Sequence, residues 1–143
     1  MTVSIGKTFT FEAAHRLPGH EGKCRNLHGH SYRVEVNFYG SVSVETGMVL
    51  DFDKIKEWWK TLEPQLDHAT ILFEDDPLAD LLLGCDIPLK ITAVSFLPTA
   101  ENLADWIRAN AEAWLDQFRD RQQPMTFVDS VKVWETATSW AEA

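Results

Sequence analysis

The sequence predicts an α+β domain in which helices pack on one face of a four-stranded antiparallel sheet. Three observations carry that reading: two long segments alternate in polarity at the start, apolar residues at helical spacing follow, and an alternating strand closes the chain. Strands that pair with neighbours, with helices grouped between them, suit this class because each sheet face must be covered or solvated. With 143 residues, 45% of them hydrophobic, the chain has material for one domain, residues 1–143, with a proper core.

The first strand is expected over residues 3–15, where Phe9, Phe11, Ala13 and His15 share one parity. Pro18, Gly19 and Gly22 mark a loop. The second strand, 28–40, sets Tyr32, Val34, Val36 and Phe38 on one parity and Ser31, Arg33, Glu35 and Asn37 on the other. After a turn around Glu45-Thr46-Gly47, Asp51 stands as an N-cap before Ile55, Trp58, Trp59 and Leu62 at helical spacing, and Pro64 is expected to end that helix. Asp76, Pro77 and Gly84 have the cap, first-turn proline and terminating glycine of a short helix. A strand-like run from Leu89 to Leu97 follows. Pro98-Thr99 then opens the longest helix, with Leu103, Trp106, Ile107, Trp114 and Phe118 on its apolar side. In the last strand Phe127, Val131 and Val133 share a parity with Glu135. The six tryptophans fall mostly on helices, where packing accounts for them.

A net charge of −9 argues against general nucleic-acid affinity, which needs a basic surface. The charge is uneven, however. Arg16, Lys23 and Arg25 surround the histidines with only Glu21 against them. A basic pocket on an acidic protein suits a small phosphorylated ligand; a solvated loop with three cations is the competing description. Cys24 and Cys85 lie in unlike contexts and suggest no disulfide framework. No apolar run approaches bilayer-spanning length and the first ten residues lack a signal pattern, so a soluble cytoplasmic protein is expected.

The richest stretch is Cys24-Arg25-Asn26-Leu27-His28-Gly29-His30. His28 and His30, two apart on a strand, point to one face, and Gly29 is read as keeping the space between them clear. His15 comes from the preceding strand at matching parity. Three neutral imidazoles with a fourth position left for water or substrate form the ligand set of a catalytic zinc. The His28–His30 pair alone equally describes two partly exposed imidazoles with no metal. Cys24 sits between Lys23 and Arg25, where positive charge favours the thiolate, the form that acts as base or nucleophile. Cys85 fits an inert thiol, and His20 a solvated one-off. Asp67 beside His68 has the makings of an acid/base unit, although adjacent residues often point apart. Glu135 is a carboxylate on an apolar strand face; it serves either a guanidine-like ligand edge or solvent at the strand end. Glu101, in the first turn of a helix, favours the dipole, and that role alone accounts for it.

Taken together, these residues resemble the 6-pyruvoyl-tetrahydropterin synthase family, and within it the 6-carboxytetrahydropterin synthase branch of queuosine biosynthesis. The matching pieces are Phe11 to Pro18 (FEAAHRLP), Cys24-x3-His28-Gly-His30, Gly47 to Phe52 (GMVLDF), Leu66-Asp67-His68, Pro98 to Asn102 (PTAEN) and Val131 to Thr136 (VKVWET). They run in family order over nearly the whole chain. The three-residue gap before His-Gly-His resembles the carboxy branch; pyruvoyl synthases have a longer one. The resemblance implies a tunnelling fold, zinc on His15, His28 and His30, and Cys24 as the proton-abstracting base. It makes Asp67 and His68 a relay pair and Glu135 the anchor of the pterin's amino-pyrimidine edge. Thr99 and Glu101 lie in the segment holding the pterin, and Arg16, Lys23 or Arg25 would receive a triphosphate. It further implies a lyase acting on a pterin triphosphate, and a homo-oligomer, a hexamer built as a dimer of trimers, with sites at subunit interfaces where Cys24 and His68 meet. A pyruvoyl synthase and a non-catalytic zinc-stabilised pterin-binding module are the alternatives; a generic zinc hydrolase lacks a carboxylate beside the histidines. Two departures stand out: the stretch Asp76–Phe96 looks longer than in compact members, and Ala100 replaces a common hydroxyl residue.

Overall fold

The computed structural model describes residues 1–117 and 125–143. In chain order the elements are β1 (Thr2–His15), β2 (His28–Ser41), α1 (Phe52–Leu66), β3 (Ala69–Phe73), α2 (Pro77–Leu83), β4 (Ile91–Val94), α3 (Ala100–Asp116), β5 (Thr126–Trp134) and β6 (Trp140–Glu142). The long β1–β2 hairpin pairs antiparallel from Thr2 with Ser41 to His15 with His28.

The sheet departs from expectation in size and sense. It has six strands, ordered β4-β3-β1-β2-β5-β6, and β3 lies parallel to both β1 and β4. Parallel neighbours require a crossover, and α1 and α2 provide the two connections. The run Ala69–Phe73 shows no alternation because its residues are buried or half-buried on both faces, so period-2 reading passes over it. β6 is three residues long, too short to carry a periodic signal.

One face of the sheet bears the core. Phe11, Ala13, Tyr32, Val34, Val36 and Phe38 are buried there against Ile55, Trp58, Trp59 and Leu62 of α1 and Leu103, Ile107 and Leu115 of α3. Phe11 stacks on Tyr32 at 4.7 Å between centroids, and Phe9 stacks on Trp59 at 4.5 Å. Trp58 satisfies its indole N–H on Asn110 Oδ1 at 2.8 Å, which ties α1 to α3. α2 packs against β3 and β4 at the sheet's edge. Phe118, expected on the apolar side of α3, lies outside the described residues.

Two local expectations are corrected. Pro64 does not end α1, which runs on to Leu66. Proline there removes one N–H and crowds the carbonyl of Lys60, but Lys60 and Pro64 are both exposed, so water takes that carbonyl. In β5 the register slips between Asn37 and Phe38, leaving Asp129 unpaired as a bulge. The extra residue flips the parity, so Val128 is buried and Phe127 is not, while Val131, Val133 and Glu135 keep the expected face.

Asp51 caps α1 as expected, its carboxylate accepting the Asp53 N–H at 2.8 Å. Asp51→Ala is expected to remove about 1 kcal/mol of stability. Urea unfolding should show a lower midpoint at unchanged slope; an unmoved midpoint would show the cap to be idle.

Candidate metal centre and active site

The end of the β1–β2 hairpin assembles the site because strand parity and register act together. His15 ends β1, His28 opens β2 directly opposite it, and His30 pairs with Ala13. All three have the parity of the core-facing residues, so their rings converge, with centroids 4.7, 5.1 and 4.8 Å apart. One ligand atom from each lies within 4.8 Å of the others, a spread that closes on an ion bound at about 2.0–2.1 Å with small side-chain movements.

The tautomers are set by the backbone. A carbonyl can only accept, so His15 Nδ1–H donates to Pro98 O at 2.7 Å and His28 Nδ1–H to Asn26 O at 2.7 Å. Both rings then present an unprotonated Nε2, as metal-binding imidazoles oriented by outer partners do. His15 is fully buried. Burial, reinforced by the neighbouring imidazoles and opposed by Glu135, pushes His30 below its ordinary pKa, which keeps it neutral. Glu135 Oε1 approaches His15 Nε2 at 3.1 Å and His30 Nε2 at 3.4 Å. Neither contact is a hydrogen bond, and both buried nitrogens lack a partner among the described residues. A carboxylate oxygen this close to two unprotonated ring nitrogens leaves the cluster with acceptors only, a deficit that a bound cation would remove. Three neutral nitrogen donors, two of them orphaned in a buried setting, fit zinc.

Gly29 has a different purpose from the one expected. It points to the opposite face, where a Cβ would meet the Ala13 carbonyl oxygen at 3.1 Å. The requirement is a close backbone approach between the strands, not clearance between imidazoles.

Cys24 lies half-buried in a single 3-10 turn, Lys23–Arg25. That turn is pinned by the Leu17 N–H on Cys24 O at 2.8 Å. Lys23 and Arg25 are exposed. Arg16, in contrast, directs two guanidinium nitrogens at Asp76, at 2.6 and 2.8 Å. Thr99 is the N-cap of α3, its hydroxyl accepting the Asn102 N–H at 3.3 Å, and its neighbour Pro98 carries the carbonyl that orients His15. Glu101 is exposed in the first turn of α3.

Asp67 and His68 do come together. His68 has a left-handed backbone, φ 56°, a conformation uncommon for a non-glycine residue. In it, His68 Nδ1–H donates to Asp67 Oδ2 at 2.8 Å. Asp67 Oδ1 accepts the Glu12 N–H at 2.9 Å. That bond first, then His68, holds the Asp67 carboxyl below its usual range. The His68 side chain is 76% exposed and lines a shallow cavity of about 420 Å³ with Glu12, Ala14, Gly29, His30, Ser31 and Thr70. Glu12 and Ser31, hydrogen-bonded to each other at 2.7 Å, have the parity opposite to the core face. Within one chain the sheet therefore stands between the Asp67–His68 pair and the three imidazoles.

A model of the 6-pyruvoyl tetrahydropterin synthase family matches residues 4–143. The chain belongs to this family. Among its relatives, the 6-carboxy-5,6,7,8-tetrahydropterin synthase of Haemophilus influenzae is 35% identical over 147 residues, covering 96% of this chain and 96% of its own length. The protein of the same name from a Synechocystis species is 38% identical over 142 residues, covering 96% of this chain and 89% of its own length. Among solved structures, an uncharacterised Wolinella succinogenes protein superposes with a TM-score of 0.82 at 24% identity, over 100% of this chain and 98% of that one. The 6-pyruvoyl tetrahydropterin synthase of Caenorhabditis elegans superposes at 0.70 and 22% identity, over 100% and 95%. The fold is the tunnelling fold of the 6-pyruvoyl tetrahydropterin synthase family. Reading the sequence alone missed Asp76 as a partner of Arg16, since Asp-Pro before a helix signals only a cap. It also missed the Tyr32 hydroxyl, buried beside His15 and His30 with no hydrogen-bond partner among the described residues.

Proposed function

We propose that this chain converts 7,8-dihydroneopterin triphosphate and one water to 6-carboxy-5,6,7,8-tetrahydropterin, acetaldehyde and triphosphate, as a zinc-dependent carbon–carbon lyase of queuosine biosynthesis. One observation carries this reading: relatives bearing that synthase name match the chain along nearly its whole length. The convergent imidazoles support it, as does the short Cys24-to-His28 gap.

His15, His28 and His30 would hold the zinc, which when bound supplies Lewis-acid polarisation of side-chain oxygens. Cys24 removes a proton from the substrate's side chain, whose oxidation balances reduction of the pterin ring without an external reductant. Asp67 keeps the His68 proton on Nδ1, so Nε2 is the atom that gives or takes a proton during carbon–carbon cleavage. Glu135 holds the amino-pyrimidine edge through paired N–H donors, in the segment-wise company of Thr99 and Glu101. Lys23 and Arg25, both exposed, face the triphosphate. The placement of His68 and the imidazoles on opposite sides of the sheet supports a homo-oligomer, a dimer of trimers, whose sites combine residues of neighbouring subunits. The acidic charge supports a small-molecule substrate over nucleic acid, and no helix among the described residues is long and apolar enough to cross a membrane; we assign the protein to the cytoplasm.

The test is incubation of zinc-loaded protein with 7,8-dihydroneopterin triphosphate and mass-spectrometric product analysis. Acetaldehyde and the 6-carboxy product are expected in equal amounts. Accumulation of 6-pyruvoyl-tetrahydropterin without acetaldehyde would mean that the reaction stops before side-chain cleavage, and the proposal would fall.

A further inference from the structure

Asp76 is a carboxylate almost wholly withdrawn from solvent, 1% exposed. Its Oδ1 caps α2 by accepting the Leu78 N–H at 3.0 Å. A cap needs one acceptor oxygen, which serine, threonine or asparagine supplies as well. Burying a full negative charge is unfavourable unless a cation pairs with it. Here the cation is Arg16: Nε–H donates to Oδ2 at 2.6 Å and Nη2–H to Oδ1 at 2.8 Å. The third arm, Nη1–H, reaches the Arg25 carbonyl at 3.3 Å.

The connections of this one guanidinium are informative. Arg16 follows His15, Arg25 follows Cys24, and Asp76 opens the long segment between β3 and β4. The end of the strand bearing His15, the cysteine-bearing turn and the segment between β3 and β4 are thus joined at a single planar group. Its fork fixes direction as well as distance, which a lysine ammonium would not. The pair holds Arg16 above and Asp76 below their ordinary pKa values, so both stay charged over the working range.

We infer that Asp76 and Arg16 form a clamp that sets the position of the Cys24 turn against His15, making both of them positioning residues for the thiol. The inference rests on the proposed role of Cys24 as base, because proton abstraction tolerates little displacement of the base. Arg16 acts on the loop backbone and is withdrawn from the triphosphate contacts. The segment between β3 and β4 gains a purpose too: its first buried residue braces the turn.

The test uses the zinc-loaded full chain in two variants. Asp76→Asn keeps a cap acceptor and loses the ion pair. The double variant Asp76→Asn with Arg16→Gln removes both charges, so that no unpaired half-buried cation confuses the result. Iodoacetamide labelling is followed at Cys24 and Cys85 separately by peptide mass spectrometry, alongside kcat, KM and zinc content. Displacing a reacting group by about 1 Å can lower rates about 100-fold, so kcat should fall at least about tenfold in both variants while KM moves less than about threefold. Zinc content should stay at the wild-type level, and Cys24 should label at least about fivefold faster relative to Cys85, as expected of a loosened turn. A Cys24-to-Cys85 ratio unchanged from wild type overturns the clamp, whatever the turnover. So does equal acceleration of both thiols, which would mean general loosening. Should the wild type turn over no pterin at all, the proposed function fails while the labelling ratio still decides the clamp.

Discussion

His15→Ala is expected to abolish turnover and release the metal, and of the three imidazoles it is the one whose loss should most weaken the metal-free fold. His15 is fully buried, whereas His28 and His30 are half-buried. Its removal opens a cavity beneath the core and leaves the Pro98 carbonyl, which now accepts at 2.7 Å, without its donor. An unsatisfied buried acceptor alone costs about 1–3 kcal/mol. Losing an outer partner of a metal ligand lowers affinity about 10–100-fold, so losing the ligand itself should exceed about 100-fold. Zinc per chain, measured after dialysis, should fall to background, and the drop in melting temperature that chelator should cause in wild type should be absent. His28→Ala should lose the metal with a smaller drop in metal-free stability. Retention of one tight zinc by His15→Ala would remove this histidine from the ligand set, and with it the proposed centre.

Cys24→Ala is the complementary case: turnover falls while zinc and fold remain. A positioned general base contributes about 10²–10⁴-fold, so kcat should fall by at least about 10³ at unchanged zinc content. The half-buried thiol sits in a turn held by backbone contacts, the Leu17 N–H on Cys24 O among them, so its removal leaves those supports intact. A Cys24→Ala variant within tenfold of wild type would exclude the thiol as base. The Asp67–His68 pair would then be the remaining candidate, since it is already tautomerically defined at 2.8 Å.

The parts of this architecture that were legible beforehand are those where one residue reports on one face. Alternation along β1 and β2 identified the core-facing Phe11, Tyr32, Val34 and Val36 together with the histidines. Helical spacing found Ile55, Trp58 and Leu62, and capping chemistry found Asp51 and Asp76. Features that depend on partners distant in the chain were not legible. The parity of Phe127 fails because the bulge at Asp129 is defined only by its pairing with Asn37 and Phe38. β3 is hidden because both of its faces are covered. Pro64 misleads because whether a helix survives a proline depends on where the orphaned carbonyl points.

The sequence by itself determined that His15, His28 and His30 share a face, since the two-residue period of a strand is a local property of L-amino-acid backbones. It also determined the identity of the thiol and its spacing to the pincer. Only the tertiary structure decided that His15 and His28 stand opposite each other, that their Nδ1 protons are taken by the Pro98 and Asn26 carbonyls, and that Arg16 is spent on Asp76. It alone put a sheet between those imidazoles and His68. The reason is that register, hydrogen-bond partners and burial are settled by how segments meet in space: the Pro98 carbonyl lies 83 residues from His15 and Asp76 lies 60 from Arg16, and even the nearby Asn26 carbonyl is aimed at His28 only by the path of the folded loop.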